Sequence, residues 1–573
     1  MAEKFPKLDG SDSQTEEESS NVQEISKELR SDTSSTGEGS EEATKIAQET
    51  IKNEEREYIT GFKLGMVVVG VTLVCFLVLL DTSIIVTAIP VITTHFHSLE
   101  DLGWYGSSYQ IASACLQPLA GRIYTNFRTK WAFMSFFFVF ELGSLLCGLA
   151  TSSKMLIVAR AVAGLGSAGL MNGSLTIISS SVPLHKSPPL IGMMMGSNIS
   201  FQSVNSESFS VLFWEEPLHN IQPGDGVCFY INLPIGALVA LLLVFIDIPD
   251  QAAKPPFKEV FNTITHKLDL TGFVLFAPAA IQLLLALEYG QNQYPWNSAT
   301  VIGLFCGAGG TFILFLGWEY RQGDKAMIPL SMVAKRNVWS SCLVMMSIFA
   351  ITLCTTYYLP VYFQAIQGKS PMLSGVYILP SILSQLAVAV TSGALIGKMG
   401  YYLPWAVVCG ILTSIGGGLL STLTPNTTTG KWVGYQILAG AGRGAGFQTP
   451  IIAVQNTLPP SQISIAMSIL MFIQTLSGAV FLTFADVIFS TGLKSLIPKY
   501  APGVSAQAVI AAGATGIRDV VSIQDLPGVL KAYAKSVDHV FYLVAAMGVW
   551  GLIFSFGMGW KDIRKKKAPS EQV

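Results

Sequence analysis

The chain has 573 residues, half of them apolar and only 13% charged, with 53 glycines and 32 phenylalanines. Soluble domains carry about 25% charged residues, so this composition excludes an ordinary soluble enzyme and points to lipid as the main solvent. A formal net charge of −2 offers no footing for nucleic acid as a partner.

Residues 1 to 58 are rich in Ser, Glu and Thr and nearly free of aromatics. Such a segment cannot bury enough apolar surface to fold, so it reads as a disordered cytoplasmic tail, with no cleavable signal sequence in it. From Gly61 the character changes. A bilayer core about 30 Å thick needs roughly 20 apolar residues per helix. Thirteen such spans stand near 64–89, 104–124, 131–150, 155–179, 228–247, 269–287, 299–318, 339–363, 373–396, 403–422, 432–455, 463–489 and 540–560. A fourteenth is half visible at 188–202.

Loop charge decides whether that fourteenth crossing exists, because cytoplasmic loops are enriched in Lys and Arg. Arg122, Arg128, Lys130, Lys186, Lys254, Lys258, Lys267, Arg321, Lys325, Lys335, Arg336, Lys398 and the terminal KDIRKKK all fall on one side only if the chain crosses once between Lys186 and Cys228. A crossing therefore belongs at about 188–212, and both termini face the cytoplasm. The domains then read as 59–248, a six-helix bundle; 249–320, two additional helices; 321–560, a second six-helix bundle with a long outer loop at 491–539; and 561–573, a basic cytoplasmic tail. The sequon at Asn426 falls on the outer side as a glycosylation acceptor, whereas those at Asn172 and Asn198 fall inside helices.

Ionisable residues inside membrane helices are costly and are functional candidates by default. Five stand out: Asp81, Glu141, Arg160, Arg443 and Asp486. Three of them have a plainer reading: a bond to a neighbouring backbone for Asp81, a snorkelling position for Arg160, nearness to outer water for Asp486. Gly164 and Gly166, and later Gly442 and Gly444, suit close helix packing. The eight cysteines show neither metal-ligand spacing nor a secreted disulfide pattern and read as small packing residues. With no nucleotide-binding loop, metal motif or catalytic triad in the sequence, neither an enzyme nor a cofactor is expected. The energy for any transport would come from an ion gradient or from the substrate's own gradient.

Taken together, the motifs resemble the major facilitator superfamily, and more closely its fourteen-helix drug:proton antiporter group, in the fungal branch that exports toxins and drugs. LDTSIIVTAIP resembles the first-helix motif, with Asp81 and Pro90 in place. GRIYTNFRTK resembles the loop motif after the second helix, with Gly121, Arg128 and Lys130, but with Thr125 where an Asp is usual. LIVARAVAGLGSAGL resembles the fourth-helix motif, CFYINLPIG the start of the sixth helix, and IIAVQNTLPPSQISIAMSILMFIQTLSGA a stretch specific to this branch. The resemblance implies an all-α polytopic membrane protein of two six-helix bundles plus two extra helices. It also implies alternating access, small amphipathic organic substrates moved outward against protons, no cofactor, a monomer, and a place in the plasma or vacuolar membrane. Uptake of a nutrient or siderophore on the same fold is the competing expectation.

One stretch does not fit. SFSVLFWEEPLHNIQPGDGVCFYINLPIG carries Glu215, Glu216, His219 and Asp225 where a membrane helix should end. The helix-five antiporter motif of the resembled group, G-P-x-x-G-G followed by W-R-W, is absent. One permitted back-translation of VLFWEEPLHNIQPGDG, with a G placed before it and read from that G, gives GPLLGGAFTQHTTWRWC, which contains both missing elements in order. Residues 203–227 thus read as translated out of frame, through a wrong splice junction, an alternative transcript or paired frame-shifting mutations. The other readings are a divergent loop, or an inactive product that has lost its helix-five motif.

Overall fold

Within a bilayer no water satisfies backbone N–H and C=O groups, so long apolar segments fold as helices that bond internally. The computed structural model describes residues 58–96, 101–204, 232–250, 254–255 and 264–564, and no strand occurs among them. In chain order the helices are α1 (Gly61–Phe96), α2 (Leu102–Asn126), α3 (Thr129–Gly148), α4 (Ser153–Ser181), α5 (Ser187–Val204), α6 (Asn232–Val244), α7 (Leu270–Asn292) and α8 (Ala299–Gln322). They continue with α9 (Arg336–Val361), α10 (Pro371–Met399), α11 (Leu403–Leu420), α12 (Thr429–Gly446), α13 (Thr449–Thr457), α14 (Pro460–Tyr500), α15 (Ala506–Val520) and α16 (Leu526–Ser555). Among the described residues ten helices are long and apolar enough to cross a membrane, and α6 is a shorter apolar one.

Local signals set several ends. The Ser152, Ser298 and Ser370 side chains accept from backbone N–H groups three residues on and so cap α4, α8 and α10. Gly400, at φ 82°, closes α10 in the left-handed conformation that glycine tolerates. A break at Phe447 and Gln448, followed by Pro450, separates α12 from α13.

α5 stands where loop charge required a further crossing. The rest of that crossing, and residues 205–227 of the stretch read as out of frame, lie outside the described residues, as do the tails at 1–57 and 565–573. The segment 491–539, expected as a long outer loop, instead holds the end of α14, all of α15 and the first turns of α16. Val509 and Ile517 of α15 are buried, and Arg518 Nη2 donates to the Ile366 carbonyl at 3.2 Å, so α15 is packed down on the second half of the molecule.

The two halves repeat one packing scheme. α4 packs between α2 and α3, and α12 packs between α10 and α11. Glycine makes both contacts possible. A Cβ on Gly164 would strike the Tyr109 carbonyl of α2, and one on Gly440 the Ser381 carbonyl of α10. Gly143 lies against the Ala163 backbone, and Gly416 against that of Ala439. Gly166 meets Phe140, while Gly442 meets Thr413 and Gly444 the α10 backbone at Gln385 and Ala389. Without a hydrophobic drive between helices in lipid, such close approaches supply the packing energy.

The halves meet along two seams at the end that carries the basic loops. In one, a Cβ on Gly121 of α2 would lie 2.9 Å from Ile465 Cα of α14, and Gln117 Nε2 donates to Thr475 Oγ1 at 3.2 Å. In the other, a Cβ on Gly397 of α10 would lie 2.6 Å from the His185 carbonyl oxygen, and one on Gly393 2.8 Å from that of Pro188. The extra pair, α7 and α8, lies over the first seam. Phe276 of α7 packs with Phe315 of α8 at 5.3 Å and with Phe472 of α14 at 5.1 Å, in one apolar cluster with Cys115 and Leu119 of α2.

Candidate functional site

α1 and α4 are apolar on most faces, yet each carries one ionisable residue into the interior of the first half. Asp81 and Arg160 are both fully buried. Arg160 Nη1 donates to Asp81 Oδ2, closing an ion pair between helices that are 79 residues apart in sequence. Arg160 Nε donates to the Tyr105 carbonyl of α2 at 3.0 Å, and the guanidinium stands 4.5 Å from the centre of the Tyr109 ring. An ion pair, a carbonyl and an aromatic face offset the cost of burying the cation.

α6 adds a neutral partner. Asn232 Nδ2 lies 3.5 Å from Asp81 Oδ1 and donates to Ser144 Oγ of α3 at 3.2 Å. One turn before Ser144, Glu141 turns its carboxyl toward Gly236 of α6, whose missing Cβ leaves the space that the carboxyl fills. Both carboxyl oxygens of Glu141 are buried without a hydrogen-bond partner, as is Asn232 Oδ1. Four helices thus bring Asp81, Arg160, Glu141 and Asn232 into one polar cluster within an apolar bundle.

The other two membrane candidates stand apart from this cluster, in the second half. Arg443 is buried on α12; it donates to Ser381 Oγ of α10, and its Nε has no partner. Asp486 lies part-buried on α14. Neither is in an ion pair among the described residues. At the position equivalent to Arg160, Gln436 Nε2 donates to the Tyr377 carbonyl at 3.0 Å, so the fourth-helix bond to a second-helix tyrosine is kept in both halves while the charge is not.

The loop motif is arranged differently from its resemblance. Arg128 is exposed. Lys130 Nζ donates to the Val244 carbonyl at 2.7 Å and lies 3.8 Å from Asp247. Thr125 spends its hydroxyl on the Gly121 carbonyl of its own helix at 2.9 Å. Arg122 takes the outward role instead: it is buried and donates to the Asp324 carbonyl at 3.2 Å, just beyond α8. Close by, Asp269, left-handed at φ 48°, accepts from Gly272 N, Trp318 Nε1 and Met327 N at 3.0, 2.9 and 2.7 Å. Lys254 Nζ caps the end of α2 at the Tyr124 and Thr125 carbonyls, at 2.6 and 3.1 Å, and burial there pulls its ammonium below the usual lysine range.

Tyr105, Ser144 and Asn232 were not singled out in the sequence. They are neutral side chains in ordinary helical surroundings, and only the fold places them beside the charges. No disulfide joins the seven described cysteines; six are buried, and Cys306 is exposed on α8. No cluster of His, Cys, Asp or Glu able to hold a metal occurs among the described residues. Asn172 is fully buried, and Asn426 is exposed between α11 and α12.

Comparison with known proteins places this geometry. Residues 71–482 match the Major Facilitator Superfamily. The chain is 56% identical over 538 residues to the MFS-type transporter pigP of Monascus ruber, covering 93% of this chain and 92% of that protein. It is 52% identical over 520 residues to the efflux pump mlcE of Penicillium citrinum, covering 89% and 92%. Among solved structures, the proton:xylose symporter XylE shares the fold with a TM-score of 0.54 at 16% identity, covering 86% of this chain and 94% of that one. Ten membrane-length apolar helices among the described residues, a packing scheme repeated in two halves, a family match over residues 71–482 and two relatives above half identity lead to one conclusion: the chain belongs to the major facilitator superfamily and is a multi-pass membrane transporter, not an enzyme.

Proposed function

We propose that the protein exports small amphipathic organic compounds from the cytoplasm in exchange for protons. The observation that carries this reading is the buried Asp81–Arg160 pair bridging α1 and α4. A charge pair in an apolar bundle is costly to desolvate even when well bonded, which makes it a functional candidate, and proton exchange is a use that needs no cofactor. Export is supported by relatives named efflux pumps, mlcE at 52% identity and mokI of Monascus pilosus at 50%. The two six-helix units, 59–248 and 321–560, rock about a central cavity, with 249–320 as the joining pair. The transporter works as a monomer in the plasma membrane, and Asn426 is its glycan acceptor.

The test uses inside-out vesicles with an acid interior. A compound whose tolerance rises on expression of the protein should accumulate in the lumen while protons leave. Accumulation indifferent to the pH gradient would remove proton coupling, and accumulation only with the gradient reversed would mean uptake.

Residues 203–227 are the out-of-frame product of a message whose other frame encodes GPLLGGAFTQHTTWRWC. Its small residues restore close contact and bending at the end of helix five. Sequencing the transcript across the codons for residues 180–235 decides it. A message reading VLFWEEPLHNIQPGDG would leave the fold but not the coupled export.

A further inference from the structure

We propose that Glu141 is the residue that takes up and releases the transported proton, with the Asp81–Arg160 pair as the counter-charge it answers to. This rests on the proton-exchange reading above and assigns it to one carboxyl group.

Among the described residues, two carboxyl groups and one guanidinium meet in the polar cluster of the first half: Asp81 on α1, Glu141 on α3 and Arg160 on α4, while Arg122 is engaged elsewhere, at the Asp324 carbonyl. Among the described residues, α2 adds Tyr105 and Tyr109 to their surroundings, α6 the neutral Asn232, and α3 itself Cys147. Arg160 neutralises one carboxylate, and geometry says which, because its Nη1 donates to Asp81 and its Nε is committed to the Tyr105 carbonyl. Glu141 is left with both oxygens buried and no donor. An ionised carboxylate so placed would forfeit its hydration with nothing in return, whereas the protonated form is neutral. The cluster is therefore balanced only with a proton on Glu141.

The same packing gives the proton a way to act. Glu141 and Ser144 share one face of α3, and Ser144 is tied through Asn232 to Asp81. Asn232 Oδ1 is an unfilled acceptor on the turn of α6 that also carries Gly236, against which Glu141 rests. Loss of the proton puts a second anion beside one cation. Relief requires Arg160 to be shared between Asp81 and Glu141, and so α1, α3, α4 and α6 to shift. The proton thus passes to water as the Glu141 O–H bond breaks, the electron pair stays on the carboxylate, and the contacts of α3 with α1, α4 and α6 are redrawn. Gly236 is essential to this fit: any side chain there would occupy the carboxyl's space.

Two measurements test the assignment. The full-length protein in lipid nanodiscs is treated with dicyclohexylcarbodiimide, which modifies protonated carboxyl groups in apolar surroundings, and its peptides are mapped by mass spectrometry from pH 5 to pH 9. Modification is expected at Glu141, falling as the pH rises, with Asp81 spared. In the second, Glu141→Gln keeps the shape of the protonated residue, so it should retain exchange of labelled for unlabelled compound across vesicles without a gradient. It should lose at least tenfold of the accumulation driven by an acid interior, and Glu141→Asp should recover part of that with a shifted pH profile. Wild-type gradient-driven accumulation in Glu141→Gln, or a Glu141 untouched by the carbodiimide at every pH, overturns the assignment and leaves proton-coupled export standing. A wild-type protein indifferent to the gradient removes the export mechanism instead, while the carbodiimide map still reads Glu141 directly.

Discussion

Replacing Asp81 by Asn leaves the Arg160 guanidinium buried against a carbonyl, an aromatic face and an amide, with no anion in contact. At an effective dielectric near 20, two unit charges about 4 Å apart attract by about 4 kcal/mol. Removing one partner of a buried pair costs about 3–5 kcal/mol, because the survivor's charge stays out of water without compensation. Asp81→Asn and Arg160→Met should therefore each destabilise the protein by about 3–5 kcal/mol. The double variant, which buries no net charge, should cost much less than the sum, giving a coupling of at least about 2 kcal/mol. Equilibrium unfolding by sodium dodecyl sulfate in mixed micelles measures all four corners of the cycle. Additive costs would refute the reasoning, since they would mean that Arg160 is held by Tyr105 and Tyr109 and not by Asp81. All three variants should lose gradient-driven transport, the double included, because stability is restored there but the counter-charge is not.

Three further outcomes follow from the packing. Gly121→Ala places a Cβ 2.9 Å from Ile465 Cα and should force the α2–α14 seam apart, raising maleimide labelling of a cysteine introduced at Ser468 by tenfold or more; unchanged labelling would mean that the helices yield locally. Phe276→Ala removes the ring that joins α7 to Phe315 and Phe472, at a cost of about 3–5 kcal/mol for a buried phenylalanine, and should expose the native Cys115 of α2 to maleimide. Gly164→Val collides with the Tyr109 carbonyl, so the yield of folded protein should fall sharply, whereas Gly303→Val, which meets nothing within 4 Å, should be tolerated.

The helices were legible because a bilayer imposes one length on every span, and the crossing at α5 because loop charge must alternate. Asp81 and Arg160 were each visible as ionisable residues in apolar runs. Their pairing was not, since hydropathy says nothing about which helices adjoin. Asn232 lay in a quoted motif without drawing notice, because a neutral amide gains its meaning only from a carboxylate 151 residues away. The end of α14 and the start of α16 were read as loop because their polar turns lie beyond the apolar length of a membrane crossing. Thr125, standing where an Asp is usual, spends its hydroxyl on its own helix, and nothing in the spacing said that Arg122 would reach toward α8 instead.

The placement of α7 has a consequence for how an oily cargo can approach. A compound dissolved in the inner leaflet could slip sideways into a transporter wherever two rocking halves part. Along the joint between α2 and α14, α7 stands in that doorway, fastened to both sides through Cys115, Leu119 and Phe472. When the halves separate there, α7 can follow one or the other, so opening breaks one of its two contacts. The doorway remains screened by whichever half keeps the helix. With the rocking motion proposed above, the bilayer would be held at a distance from the cargo path on this flank, and the extra pair would serve as a wall against lipid as well as a link between bundles.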